Sequence, residues 1–199
     1  LSSSSAASDV YKRQHEGQYD NMNAFFRTNG FDEVFAQEDY PSEKVVNSFG
    51  VQDDFLYDYA IPVLNRTADE GQPFFATLLS ISNHPPYVIP PYFHPRTDKP
   101  ETQIVEYADW ALRKFFEEAR KQSWFENTIF VLEGDHGKLV GDAECELPQS
   151  YNHIPLMIYS NSITPVEHTA FGGQIDIQPT VLGLLGICLL YTSDAADEE

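Results

Sequence analysis

A chain of 199 residues with 42% hydrophobic and 14% aromatic content is long enough and apolar enough to bury a core, which excludes a disordered segment and fits a single domain. Its net charge of -19, from 31 acids against 12 bases, leaves no basic patch for phosphate backbones and excludes nucleic acid and anionic membrane surfaces as partners. Two cysteines, Cys145 and Cys188, exclude a disulfide framework and a CxxC metal motif. No run reaches the roughly 18 apolar residues that span a bilayer, and no apolar signal-peptide segment opens the chain.

Residues 1–14, LSSSSAASDVYKRQ, are Ser/Ala-rich without an apolar period, and CLLYTSDAADEE from Cys188 is unlike what precedes it. Both are expected to be non-native ends, like translated adapter read-through, and are set aside from the fold; natural disordered termini are the alternative. The domain is then 15–187.

Within it, Asn23 to Arg27 predicts a short helix with Phe25 and Phe26 buried and Gly30 as its stop, and Phe31, Val34 and Phe35 predict a strand-like connector. Residues 51–66 space Val51, Phe55, Leu56, Tyr59 and Val63 on one helical face. Asp53 and Asp54 suit that helix's first turn, where negative charge meets the positive end of the dipole, and Pro62 should kink or end it. The continuous apolar run 73–82 predicts a strand covered on both faces, leading into Asn83-His84-Pro85-Pro86-Tyr87. Residues 101–122 form the clearest helix, with Ile104, Tyr107, Ala108, Ala111, Leu112, Phe115, Phe116 and Ala119 as its apolar stripe.

That helix feeds the run Ile129 to Leu132, expected as a buried strand, which stops at Gly134 and delivers Asp135 and His136 before Gly137. Carboxylate oxygen and imidazole nitrogen together suit manganese or zinc, and strand ends are where α/β sheets place ligands. A turn-capping aspartate beside a surface histidine is the plain alternative. An acidic loop at 141–148, a strand at 153–159 and a helix at 174–186 follow, with Pro179 in the helix's first turn and Gly186 at its end. Alternating strands and helices predict an α/β fold with a mostly parallel sheet flanked by helices.

Three ordered pieces carry a resemblance: SNHPPY at 82–87, YADWALRKFFEEARKQSWFENTIFVLEGDHG at 107–137, and HIPLMIY followed by QIDIQPTVLGLLG. Together they resemble the sulfatase branch of the alkaline phosphatase superfamily, in particular the lipoteichoic acid synthase-like phosphoglycerol and phosphoethanolamine transferases. The resemblance covers about residues 15–187. It implies an alkaline phosphatase-like fold with its N-terminal part missing, and one divalent metal, manganese first, with zinc, magnesium or calcium as alternatives. Asp135 and His136 match the metal ligands. His84 matches a histidine that contacts the ester and stabilises or protonates the departing oxygen. Asp20 and Asn21 fall where the family binds the headgroup, though the usual tryptophan and arginine are replaced there by the DNM pattern.

The resemblance further implies an anionic phosphate- or sulfate-ester substrate, lipid-linked in the transferases. It places the full-length protein on the extracytoplasmic face of a bacterial inner membrane, with the membrane reached only through segments outside this chain. The family's nucleophile and an early acidic ligand have no match here, so the chain is expected to be catalytically incomplete and prone to aggregation in isolation. Arylsulfatase-type sulfate ester hydrolysis and a non-catalytic remnant stand as alternatives. Glu133 is expected either buried beside the site or supporting one of its residues, and His153 as a structural or supporting histidine, with approach to the ester as its alternative. His94 and His168 are expected on the surface, His15 is not assigned to the substrate, Cys145 reads as an ordinary loop thiol, and Asp176 as a helix starter.

Overall fold

The computed structural model describes residues 8–13, 21–48, 50–137 and 152–187. Residues 1–161 form one compact unit and residues 162–199 a second.

The first unit is organised on a three-stranded parallel sheet of β1 (Ser8–Arg13), β2 (Glu33–Phe35) and β5 (Phe74–Leu79), in the order β2-β1-β5. The register runs from Ser8 opposite Phe74 to Arg13 opposite Leu79, and Val10 to Lys12 face Glu33 to Phe35. Ser8–Arg13, set aside above with the leader, thus occupies the middle of this sheet. Val10 and Tyr11 are β-formers, and both neighbours supply backbone partners that override the weak local pattern. β3 (Val45–Asn47) and β4 (Gly50–Val51) make a small antiparallel ladder.

β6 (Phe130–Glu133) and β7 (Leu156–Tyr159) pair antiparallel, Phe130 opposite Tyr159 and Glu133 opposite Leu156. The α/β class holds, yet among the described residues these two strands form their own ladder rather than hydrogen-bonding to the parallel sheet. The expected buried β6 is instead half-exposed in alternation, with Val131 and Glu133 outward. An antiparallel pair with one solvated face gives such a period of two. β5 also departs from a doubly covered strand, because Phe75 is exposed.

Among the described residues three helices pack on this framework: α1 (Met22–Thr28), α2 (Asp53–Asp69) and α3 (Pro100–Ala119). In α1, Phe25 is exposed, not buried as expected, while Phe26 stacks edge-on with Phe31. Gly30 ends the turn at φ +96°, a conformation that strains any residue with a Cβ. Pro62 does not end α2. The hydrogen bond it removes points from exposed Pro62 to the carbonyl of exposed Asp58, on the side where solvent serves that group.

α2 and α3 bury Ala60, Leu64, Phe115 and Ala119 together with Trp124 and Phe125. The first residues of two strands, Phe74 of β5 and Phe130 of β6, both pack on the Trp124 ring, at 6.2 and 6.3 Å between centroids. Trp124 Nε1 donates to Asn65 Oδ1 of α2 at 2.7 Å, so the indole is satisfied at both its apolar and polar ends. Two strands thereby start from one aromatic anchor, and each is followed by a candidate site segment.

In the second unit, the turn Gln174–Asp176 leads into α4 (Ile177–Leu184), with Pro179 in the first turn and Gly186 at φ +70° just past the end. The Gly173 N–H donates to Asp176 Oδ2 at 2.8 Å, the helix-starting role expected of this aspartate.

Candidate functional site

β6 ends at Glu133, and Gly134 turns the chain beneath Ile154, which would lie 3.6 Å from a Cβ at that glycine. Asp135 and His136 follow, both exposed. The His136 N–H donates to Asp135 Oδ1 at 2.9 Å, and His136 Nδ1 lies 2.8 Å from the Gly137 carbonyl oxygen. A carbonyl can only accept, so Nδ1 carries the proton, and in the neutral tautomer the lone pair is on Nε2. That Nε2 lies 3.8 Å from Asp135 Oδ2. A backbone carbonyl that fixes the tautomer is the arrangement metal-ligating histidines use.

A first-row divalent ion sits about 2.0–2.2 Å from each ligand atom, so donors 3.8 Å apart lie at the wide end of what one ion bridges. The pair therefore fits a metal as two of its ligands. Among the described residues no group of three or more His, Cys, Asp and Glu side chains converges to complete such a site.

His84 stands on the loop after β5. Its backbone N–H donates to the Ile81 carbonyl at 2.8 Å, and its Nδ1 lies 2.7 Å from the Pro85 carbonyl oxygen. The same logic assigns the proton to Nδ1, so Nε2 is an acceptor in the neutral ring and a donor in the charged one. The loop's exit packs on α3, with Tyr87 and Ile89 against the cluster of Ile104, Tyr107 and Ala111.

Beneath this loop lies a polar hub absent from the sequence reading. Asp53 and Asp54 stand in the first turn of α2 as expected, and they are buried there, 1% and 8% exposed. Asp53 Oδ1 accepts from the N–H groups of Ile81 and Ser82 at 3.2 and 3.0 Å. Asp54 accepts from the hydroxyls of Tyr107 at 2.6 Å and Tyr92 at 2.9 Å. Desolvation, then the hydrogen bond to the Asp54 carboxylate, pushes the hydroxyl of the otherwise exposed Tyr92 up to about 12 and that of buried Tyr107 well above the ordinary phenol range. Burial, reinforced by the Asp53 charge, raises Tyr57 as well. The available signal was two acids set between Val51 and the Phe55-Leu56 pair, where a solvated face has no apolar neighbours on both sides.

Asn21 is exposed at the start of α1, in the left-handed conformation that asparagine tolerates, at φ 56°. Glu133 is exposed on β6 rather than buried beside the site, because the strand alternates and Glu133 falls on its outward face. His153 is exposed just before β7, next to the Ile154 that covers Gly134. His94 and His168 are exposed. Asp20, His15, Cys145, the loop 141–148 and the tail from Cys188 lie outside the described residues.

An α/β domain with these strand-end segments has the architecture of the alkaline phosphatase superfamily. A superfamily member from Vibrio parahaemolyticus superposes with a TM-score of 0.79 at 32% identity, over 90% of this chain and 44% of that one. The lipoteichoic acid synthase LtaP from Listeria monocytogenes gives 0.78 at 26% identity, over 92% of this chain and 50% of that one. Within that class the chain belongs to the sulfatase family, whose model matches residues 8–187. It is 28% identical over 198 residues to lipoteichoic acid synthase 1 of Bacillus subtilis and 26% identical over 191 residues to the lipoteichoic acid synthase of Staphylococcus saprophyticus. Each match takes in 84% of this chain. The chain spans 29% of the length of those two relatives.

Proposed function

We propose that this chain carries the metal-holding and leaving-group side of a phosphate-ester transferase or hydrolase of the lipoteichoic acid synthase type, which moves phosphoglycerol or phosphoethanolamine units. The observation that supports it most is the Asp135–His136 pair, a carboxylate oxygen and a tautomer-fixed imidazole nitrogen 3.8 Å apart at the end of β6. Asp135 and His136 would hold one divalent ion, manganese first. When bound, it supplies a Lewis acid for the ester oxygens and the counter-charge that a chain of net charge -19 otherwise lacks for an anionic substrate.

His84 donates a proton or hydrogen bond from Nε2 to the departing oxygen, its Nδ1 kept in place by the Pro85 carbonyl. Asp20 and Asn21 contact the headgroup. No residue of this chain is assigned as nucleophile, and the reaction belongs to the longer enzyme, working on a lipid-linked substrate at the outer face of a bacterial membrane. Among the described residues no helix is long and apolar enough to cross that membrane.

The test is thermal unfolding of the chain against MnCl2. Binding to the native state raises stability by RT ln(1 + [L]/Kd), about 2.7 kcal/mol at a hundredfold excess over Kd. The parent should shift upward with Mn²⁺, whereas Asp135→Ala and His136→Ala should not. Equal shifts in all three, or none in the parent, would end the reading.

A further inference from the structure

Three consecutive residues at the start of α2 each reach a different point of the segment that carries His84. Asp53 takes the N–H groups of Ile81 and Ser82 on one carboxylate oxygen. The Ser82 hydroxyl accepts from the Asp53 N–H at 3.1 Å and donates to Gln52 Oε1 at 3.2 Å. The other end of the Gln52 amide, Nε2, donates to the Val88 carbonyl at 2.9 Å. Asp54 then holds the Tyr92 hydroxyl further along the same segment and, through Tyr107, ties the assembly to α3.

The loop 82–88 is thus gripped on both sides of His84, two residues before it and four after. A surface loop ordinarily serves its own backbone or solvent. This one contains Pro85 and Pro86, which offer no N–H, and instead depends on a helix whose buried first turn would be costly to build without these partners. Asp53 Oδ1 holds two successive loop amides at once.

We propose that Gln52 and Asp53, supported by Asp54, are positioning residues that fix the His84 ring against the reacting ester. The inference rests on the reading of His84 as the leaving-group contact. It predicts that releasing either foot of the loop changes the ring itself, at temperatures where the fold stays intact. A merely structural role would lower the melting temperature and leave the ring unchanged.

The experiment uses the chain carrying Asp53→Ala, Asp53→Asn or Gln52→Ala. It reads amide exchange at Ile81 and Ser82 and the ring nitrogen shifts of His84 by NMR, with Mn²⁺-induced melting shifts alongside. In Asp53→Ala, exchange at Ile81 and Ser82 should rise about tenfold or more while amides around Ala111 keep their protection. The His84 Nδ1–H signature should give way to a mixture of tautomers. Asp53→Asn, whose amide oxygen can accept from the same two N–H groups, should restore most of both.

Gln52→Ala should disturb the His84 ring with a smaller loss of stability, and it decides the matter if Asp53→Ala fails to fold. His84 ring signals identical to the parent in folded Gln52→Ala and Asp53→Ala would overturn the proposal. The Mn²⁺ response should persist in every variant, since the clamp does not touch Asp135 or His136. Its absence from the parent would strike the functional reading alone, while the ring signals still decide the clamp.

Discussion

Removing one hydroxyl measures how much the buried hub contributes. Tyr107 is 0% exposed, and its hydroxyl donates to Asp54 Oδ1 at 2.6 Å while accepting from the Asp54 N–H at 3.3 Å. Tyr107→Phe keeps the ring and its packing against Phe93 and Trp110, at 5.5 and 5.9 Å between centroids, so the change isolates the polar term. A hydrogen bond to a charged group contributes about 1.5–3 kcal/mol net, and a buried acceptor stripped of its donor falls at the upper end. Tyr92 still serves Asp54, which limits the loss to roughly 2 kcal/mol.

For a domain of this size that is a drop in melting temperature of about 4–8 °C. Urea denaturation should show it as a lower midpoint at unchanged slope. A double-mutant cycle with Asp54→Asn should return a coupling of about 1 kcal/mol or more, since the two groups touch. A loss below about 0.5 kcal/mol, the scatter of ordinary surface substitutions, would refute the account of the hub as a buried and satisfied network.

Other outcomes follow from neighbouring residues. Partial desolvation raises the Asp58 carboxyl, although its side chain is 59% exposed and Lys114 lies 3.8 Å away, with Asp54 and Glu118 adding to the rise. A carboxyl raised on folding opposes the fold once ionised, so Asp58→Asn should increase the melting temperature at pH 7, and only slightly, because solvent screens a side chain this exposed. The gain should vanish as pH falls through the folded value toward 3.8, measured by melting across pH 3–8. Tyr57, Tyr92 and Tyr107 hold their protons more tightly folded than unfolded, so stability should decline as pH rises above 10. Absorbance at 295 nm should then show a late set of phenols ionising together with unfolding. Trp124→Ala removes the anchor shared by β5 and β6 and should cost about 3–5 kcal/mol by denaturant titration.

What could be read from residues alone was whatever depended on period and punctuation. The α3 stripe placed Ile104, Tyr107, Ala111, Phe115 and Ala119 correctly in the interior, because a 3.6-residue repeat survives any tertiary arrangement. The turn after Leu132 was equally legible, since Gly134 and Gly137 bracket the Asp135–His136 pair. Pairing direction was not: β6 reads the same whether its neighbour runs with it or against it, so its antiparallel partner β7 and its exposed Val131 came only from the coordinates. The buried acids escaped for a related reason. An aspartate in a first helical turn satisfies the dipole rule whether water or the amides of Ile81 and Ser82 surround it. Local composition does not record what lies across the fold.

The position of Ser8–Arg13 carries a consequence for assembly. This strand leaves the ribosome before every other described element, yet its longest partner, β5, appears only after α1, β2, β3, β4 and α2 have been synthesised. Until then it has a row of amides and carbonyls open on at least one flank, the condition in which nascent chains join the wrong neighbour. Closing that gap is a non-local event of the kind that slows folding. Production yield should therefore respond more to the residues at 8–13 than to any loop on the surface.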